Sequence, residues 1–360
     1  MIDSEALSYF KEWIIINIVK IADINSGIIA DKAEFIRESE ENASRLFGCE
    51  TYYSTEGSTQ CIKSMVYLAM QYAQRKGKKL LIAAGRNAHK AFVAAAALMD
   101  ADVEWLFPGE GESYLSCCPT AEETDVFLTA HQPAALYLTS PDYLGHMADI
   151  EGIAKVCKKH GVLLMVDNAH GAYLKFLQPS RHPMDLGADM CCDSAHKTFP
   201  VLTGGAYLHV REEFAPQCKN ALQLFGSTSP SYLILQSLDA ANKYLAEGYP
   251  ERLNAFISRV EVLKETLVKA GYTFRGDEPL KLTFHTKDYG YTGDELAAQL
   301  LKQNIVCEFH DPDFLVMMLT PEHTDEDLKQ LQEALLSIPK KAAIQAQPPA
   351  FRPREAVIPC

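Results

Sequence analysis

Residues 191–210 read CCDSAHKTFPVLTGGAYLHV, with Ser194, His196 and Lys197 set between an apolar run and a Pro- and Gly-containing stretch. A lysine drawn into an interior is costly unless its ammonium is neutralised or paired, because burial disfavours the charged form. Lys197 therefore points to chemistry. The apolar run before it, ADMCCDSAHK (188–197), is one of four strand-like segments that end in small or polar residues, with LLIAAG (80–85), AALYLTS (134–140) and VLLMVDNAHG (162–171). Between them lie helical patterns at 59–77, 90–101 and 149–161, the last ending Lys-Lys-His-Gly as a helix C-terminus does. Alternation of this kind predicts βαβ units and an α/β fold built on a mostly parallel central sheet covered on both faces.

Outside this region the chain divides further. Residues 1–45 read as a helical arm, with YFKEWIIINIVKIA apolar nearly all round. Residues 46–235 form the large domain. Residues 236–340 form a smaller α+β domain: a connector helix broken near Gly248-Tyr249-Pro250, then PLKLTFHT, GDELAAQLLKQNI, VCEFHD, FLVMMLT and TDEDLKQLQEALLSI in the order strand, helix, strand, strand, helix. Thr324 and Asp327 make a capping-box-like start to the last helix. Residues 341–360 are Pro-rich and polar and read as an extended tail.

With 360 residues and a formal net charge of −13, the chain is long enough for a large core and too acidic to favour nucleic acid or an anionic membrane as its main partner. The start MIDSEALSYFKEW is acidic and WIIINIV is short and interrupted by Asn17, so neither a signal peptide nor a membrane span is expected and a cytoplasmic location is. The 10 cysteines include two adjacent pairs but no zinc-type CxxC spacing, so they read as reduced, mostly buried thiols and no metal is predicted.

In open sheets of this type ligands bind beyond the carboxyl ends of the strands. Asp167 and Lys197 each close a strand-like run, so adjacent strands bring a carboxylate and an amine to one sheet edge. A pyridoxal phosphate site needs that pair: an amine to form a Schiff base, and a carboxylate to keep the pyridine nitrogen protonated. Gly57, Ser58 and Thr59 precede a helix, where free N–H groups and the dipole favour a phosphate. Ser194 and His196 are further donors, and His89 opens another helix after a strand, where a flat imidazole can lie on a flat cofactor. Taken singly, each has a structural explanation: an N-cap, an ordinary hydrogen-bonded histidine, a capping aspartate, an exposed loop lysine. Their joint order is what points to the cofactor.

The chain resembles the bacterial ornithine/lysine/arginine decarboxylases, fold-type-I (aspartate aminotransferase-like) pyridoxal-phosphate enzymes, through EGST, RNAHK, TSPDYLG, DIEGIAKVCKKHG, VDNAHGA, DSAHKT, PVLTGGAYLHV and STSPSYLILQSLDAA, and more weakly through TGDELAAQLL and PREA, over roughly residues 46–340. The resemblance implies Lys197 as the Schiff-base lysine, Asp167 on the pyridine nitrogen, His89 stacked on the ring, and Ser58, Thr59, Ser194 and His196 on the phosphate. It also implies Ala169 and His170 against the other face of the ring or its hydroxyl, and Ser227 and Thr228 reaching the phosphate of a neighbouring subunit, hence a homodimer with shared sites. Departures are Gly204-Gly205 after Leu202-Thr203 in place of a glutamine, Asn168 for a common Glu, and Asp142 for a common Thr. The family's PGH-type N-terminal motif and its further C-terminal domain are not recognisable.

The implied reaction is decarboxylation of lysine, arginine or ornithine to its amine and carbon dioxide, a lyase step of amino-acid and polyamine metabolism. The same cradle also serves an aminotransferase or a Cα–Cβ lyase. Arg275 is the candidate for the carboxylate grip an aminotransferase uses, with a solvated strand-edge arginine as the alternative. A third reading is a relative that binds the cofactor without turnover and acts in regulation.

Overall fold

Strands Ala135–Thr139 (β4), Leu163–Asp167 (β5), Met190–Asp193 (β6) and Ala206–Val210 (β7) are buried almost throughout, which is why they read as continuous apolar runs rather than alternating ones. They lie in the seven-stranded sheet of the computed structural model, which describes residues 29–109 and 113–345. The predicted arm helix at 9–22 and the tail beyond 345 lie outside the described residues. The remaining strands are Glu50–Ser54 (β1), Leu81–Gly85 (β2) and Asp102–Leu106 (β3), and the order is β1-β7-β6-β5-β4-β2-β3. Neighbours from β3 to β6 pair in parallel, whereas β7 runs against both β6 and β1. The predicted mostly parallel sheet is therefore present, with one reversed strand.

Helices cover both faces. Ser58–Arg75 (α2), Lys90–Leu98 (α3) and Ala215–Phe225 (α7) pack with Tyr137, Met165, Cys192 and Leu208 on one side. Ala121–His131 (α4) and Ile150–His160 (α5) pack with Leu136, Leu138, Leu164, Val166 and Cys191 on the other. Side chains one residue apart thus go to opposite faces, as strand geometry requires. Helix α5 starts where Asp149 accepts from Gly152 N (3.0 Å) and stops at Gly161 in the left-handed region.

Two expected boundaries shift. The run 188–197 is a strand only over Met190–Asp193, and Lys197 lies in the short helix Ala195–Thr198 (α6). Likewise 162–171 is a strand only as far as Asp167. In both cases the chain leaves the sheet directly after the aspartate that follows the last apolar residue, and between β6 and β7 it forms the excursion that carries Lys197.

Helix Ile29–Phe47 (α1) packs beside Tyr232–Ala246 (α8), and Tyr249–Lys269 (α9) follows after the break at Gly248. The small sheet comprises Phe274–Arg275 (β8), Lys281–His285 (β9), Phe309–His310 (β10) and Phe314–Met318 (β11), all antiparallel, in the order β10-β11-β9-β8. Helices Gly293–Leu301 (α10) and Asp325–Ser337 (α11) cover it, and the capping box of Thr324 with Asp327 starts α11.

The small sheet docks onto the loop after β4. The Asp277 and Glu278 amides both donate to Gly145 O (2.9 Å each), and Thr283 Oγ1 donates to Leu144 O (2.8 Å). Gly276 sits in this seam at φ 76°, and a Cβ there would stand 2.7 Å from Gly145 O and closer still to Leu144 O. The position needs glycine for both its conformation and its contact. Gly276→Ala is expected to lower the unfolding free energy by about 2–4 kcal/mol in urea denaturation.

Candidate active site

The Asp167 carboxylate is 3% exposed at the carboxyl end of β5. Its Oδ2 accepts from Tyr137 Oη (2.9 Å) and its Oδ1 from Ala169 N (3.2 Å) and Cys192 Sγ (3.6 Å). All three donors are neutral, and among the described residues Asp167 forms no salt bridge of 4 Å or less. Desolvating a carboxylate among neutral groups is expensive, so the site is suited to a cationic group such as a protonated pyridine nitrogen.

Lys197 is half-buried. Burial lowers the proton affinity of its amine, the charges of Asp167 and Glu308 raise it, and Lys281 lowers it, with a net shift below the ordinary ammonium value. Asp167 ends β5 and Lys197 follows the neighbouring parallel strand β6, and the carboxylate acts electrostatically on the amine.

His89 forms the N-cap of α3, and its Nδ1 accepts from Ala91 N (3.2 Å), which leaves the proton on Nε2. His89 is exposed. Partial desolvation depresses its pKa, Asp167 acting against this and Lys197 with it.

The phosphate-type turn is built by two carbonyls. Gly57 N donates to Gly204 O (2.8 Å), while His196 directs its N (3.2 Å) and its Nδ1 (2.9 Å) to Gly205 O. The Gly204-Gly205 pair, a departure in sequence, therefore joins the start of α2 to the Lys197 segment. It also fixes the proton of neutral His196 on Nδ1 and leaves Nε2 as an acceptor, since a carbonyl only accepts. Gly57 has φ 71°, no side chain caps α2, and a Cβ on Gly57 would meet nothing within 4 Å. Ser58 and Thr59 follow on the first turn with unclaimed N–H groups of the type every helix start carries. Ser194 Oγ is buried with no hydrogen-bond partner among the described residues. An uncapped helix start and an orphaned buried hydroxyl, joined by one glycine pair, fit a phosphate.

His170 is buried. Lys281 Nζ contacts its Nδ1 (3.0 Å), Asp142 O (3.1 Å) and Glu278 Oε2 (2.8 Å). An ammonium only donates, so Nδ1 of His170 accepts and Nε2 carries the proton. Burial first, then Lys281, Lys197 and His89, press the His170 pKa well below its ordinary value. The ring meets Tyr143 edge-on (5.3 Å), and Tyr143 meets Phe309 (5.1 Å), next to Glu308 at the entry to β10. Tyr173 Oη donates to Glu278 Oε1 (3.2 Å), which completes the surroundings of the buried ion pair.

Ser227 and Thr228 lie exposed in the loop between α7 and α8, beginning at Gly226 against the Gln60 side chain of α2. Arg275 is exposed on β8, at the opposite edge of the small sheet from β10, and its charge acts on Asp288. Sequence reasoning missed Tyr137, Lys281, Glu278 and Glu308. Only Tyr137 carries a local signal, because a tyrosine in a fully buried strand needs a partner for its hydroxyl.

The seven-stranded sheet with its appended antiparallel domain is the architecture of fold-type-I pyridoxal-phosphate enzymes. The chain belongs to the family described as Orn/Lys/Arg decarboxylase, major domain, whose model matches residues 3–275. It is 30% identical over 361 residues to an arginine decarboxylase of Bacillus subtilis (strain 168), covering 93% of this chain and 72% of that protein. It is also 30% identical over 334 residues to the uncharacterized protein YaaO of the same organism, covering 88% of this chain and 67% of YaaO. Among solved structures it matches lysine decarboxylase A of Pseudomonas aeruginosa with a TM-score of 0.70 at 18% identity, covering 84% of this chain and 50% of that one. A NifS-like protein matches with a TM-score of 0.71 at 15% identity, covering 93% of this chain and 95% of that one. Family membership supports amino-acid decarboxylation with pyridoxal phosphate. No helix among the described residues is long and apolar enough to cross a membrane.

The folded-state pKa of His170 lies below that of the unfolded chain, near 6.5, so the unfolded state takes up a proton that the folded state refuses. Stability is full above that value and is lost as pH falls below it. His209, also depressed by burial, adds to the trend. Urea denaturation from pH 7 to 5 is expected to show falling stability, and His170→Asn to reduce the slope by up to about 1.4 kcal/mol per pH unit.

Proposed function

We propose that the protein is a pyridoxal-phosphate-dependent decarboxylase of a basic amino acid, lysine, arginine or ornithine, acting as a homodimer. The observation that carries this reading is the buried Asp167 carboxylate, held only by neutral donors at the end of β5, with the half-buried Lys197 on the segment after the neighbouring strand and an uncapped helix start and orphaned Ser194 hydroxyl beside it. The bound cofactor would supply an electron-withdrawing ring that accepts the electrons of the bond to the departing carboxylate.

The chain's own groups would do the rest. Lys197, its ammonium disfavoured by burial, would hold the cofactor covalently and exchange with the substrate amine. Asp167, oriented by Tyr137, Ala169 N and Cys192, would accept the hydrogen of the ring nitrogen and favour its protonated form. His89 would cover one face of the ring, with Ala169 and His170 on the other. His170 would offer Nε2–H as a donor, a tautomer set by Lys281. Ser58, Thr59 and Ser194 would hold the phosphate, their three hydroxyls and the free N–H groups at the start of α2 acting as donors, and His196, whose N and Nδ1 both go to Gly205 O, would join them as the imidazolium through Nε2–H.

Glu308 gives the preference for a basic substrate. It is exposed, it acts electrostatically on Lys197, and it is a fitting partner for a distal ammonium or guanidinium. The names of the arginine decarboxylase relatives agree with that choice. For the dimer, the exposed apolar residues Leu202, Leu224, Tyr232 and Leu233 around Ser227 and Thr228 supply a surface for a second copy.

The test is purified protein with pyridoxal phosphate and each of lysine, arginine and ornithine. Amine and carbon dioxide from one of them are expected; conversion of the cofactor to its pyridoxamine form, or no turnover with any, would overturn the reading. Lys197→Ala should abolish the visible band of lysine-linked cofactor. Glu308→Gln should raise KM for the preferred substrate by roughly 10- to 100-fold while leaving cofactor binding intact.

A further inference from the structure

Asn168, a departure in the sequence, follows Asp167 and so turns to the opposite face of the sheet. There its Nδ2 donates to Asp193 Oδ1 (2.7 Å). Asp193 is the last residue of β6 and directly precedes Ser194 and the Lys197 segment. Its Oδ2 receives His182 Nε2 (3.1 Å) and His209 Nε2 (3.2 Å), and all three side chains are fully buried. Phe47 of α1 seals them, its ring 4.5 Å from that of His209 and 5.7 Å from that of His182.

With Cys191, whose Sγ lies 3.8 Å from His182 Nε2, these groups form a donor set of the kind that holds zinc. The hydrogen bonds assign it another use. Met184 N donates to His182 Nδ1 (3.4 Å), which puts the ring proton on Nε2, facing Asp193. His209 is anchored from behind by Thr51 Oγ1 at its Nδ1 (2.9 Å). The two Asp193 oxygens together are thus occupied by side chains of three different segments: the turn after β5 on Oδ1, and the loop before β6 and β7 on Oδ2.

We propose that Asp193 is a positioning residue, a single buried carboxylate that ties the turn after Asp167 to the segment carrying Ser194 and Lys197 and so fixes carboxylate, amine and phosphate donors relative to one another on the far side of the sheet. The inference rests on the cofactor reading above. A group held through one acceptor shared by several donors is intolerant of an amide, which presents only one oxygen and sets its own N–H against an imidazole N–H.

Asp193→Asn tests this through cofactor binding, without substrate. The variant is checked for folding by circular dichroism, then titrated with pyridoxal phosphate. About 10- to 100-fold weaker binding is expected, with a changed position or pH dependence of the visible band of lysine-linked cofactor. Asn168→Ala, which cuts only the tie toward Asp167 and keeps the histidine pair, should show the same band change with a smaller loss of affinity, and it decides the matter if Asp193→Asn does not fold. Wild-type affinity and an unchanged band in a folded variant would overturn the proposal, as would one equivalent of zinc in the purified wild-type protein. A wild-type protein that takes up no pyridoxal phosphate would instead defeat the cofactor reading itself.

Discussion

A carboxylate buried among neutral donors is the constraint from which the rest of the molecule follows. Asp167 receives a phenol, a backbone amide and a thiol, none of which cancels its charge. Such a group is kept only where something outside ordinary packing makes use of it. The sheet serves it from both faces: Tyr137 and Cys192 come from the flanking strands on its own side, and Asn168 carries the load of the next turn to the other. A parallel strand ending at a topological edge gives the carboxylate its position, and the reversed strand β7 brings the chain straight back so that the lysine segment stays beside it.

The small sheet completes the site by charge more than by contact. Lys281 reaches across the seam to His170 and to the carbonyl of Asp142, with Glu278 as its counter-ion. Taking an ion pair out of water is worthwhile only if other partners help to satisfy it, and here the ammonium also donates to His170 Nδ1 and to the Asp142 carbonyl. The result is a histidine fixed in one tautomer by a residue 111 positions away in the chain.

What could be read from the sequence was local. Asp167, Lys197, Gly57 and His89 each stand at the junction of an apolar run and a polar turn, and such junctions are visible in one dimension. The capping box at Thr324 and the Lys-Lys-His-Gly end of α5 were legible for the same reason. Strand β3 was not, because its exposed Asp102 and Glu104 break the apolar pattern at the sheet edge. Lys197 was expected at a strand end, but periodicity does not mark where a buried run stops pairing and the chain turns into α6. Lys281, Glu278 and Glu308 have no nearby partner in sequence to announce them, and Asp193 read as part of a motif whose neighbours, His182 and His209, acquire meaning only once the strands are laid side by side.

The charges around Lys197 belong to two bodies. Asp167 rides on the large sheet, while Glu308 and Lys281 ride on the small one and pull in opposite directions. Any tilt of one sheet against the other changes the balance between those two pulls, so the proton affinity of a single amine is tied to the posture between the sheets.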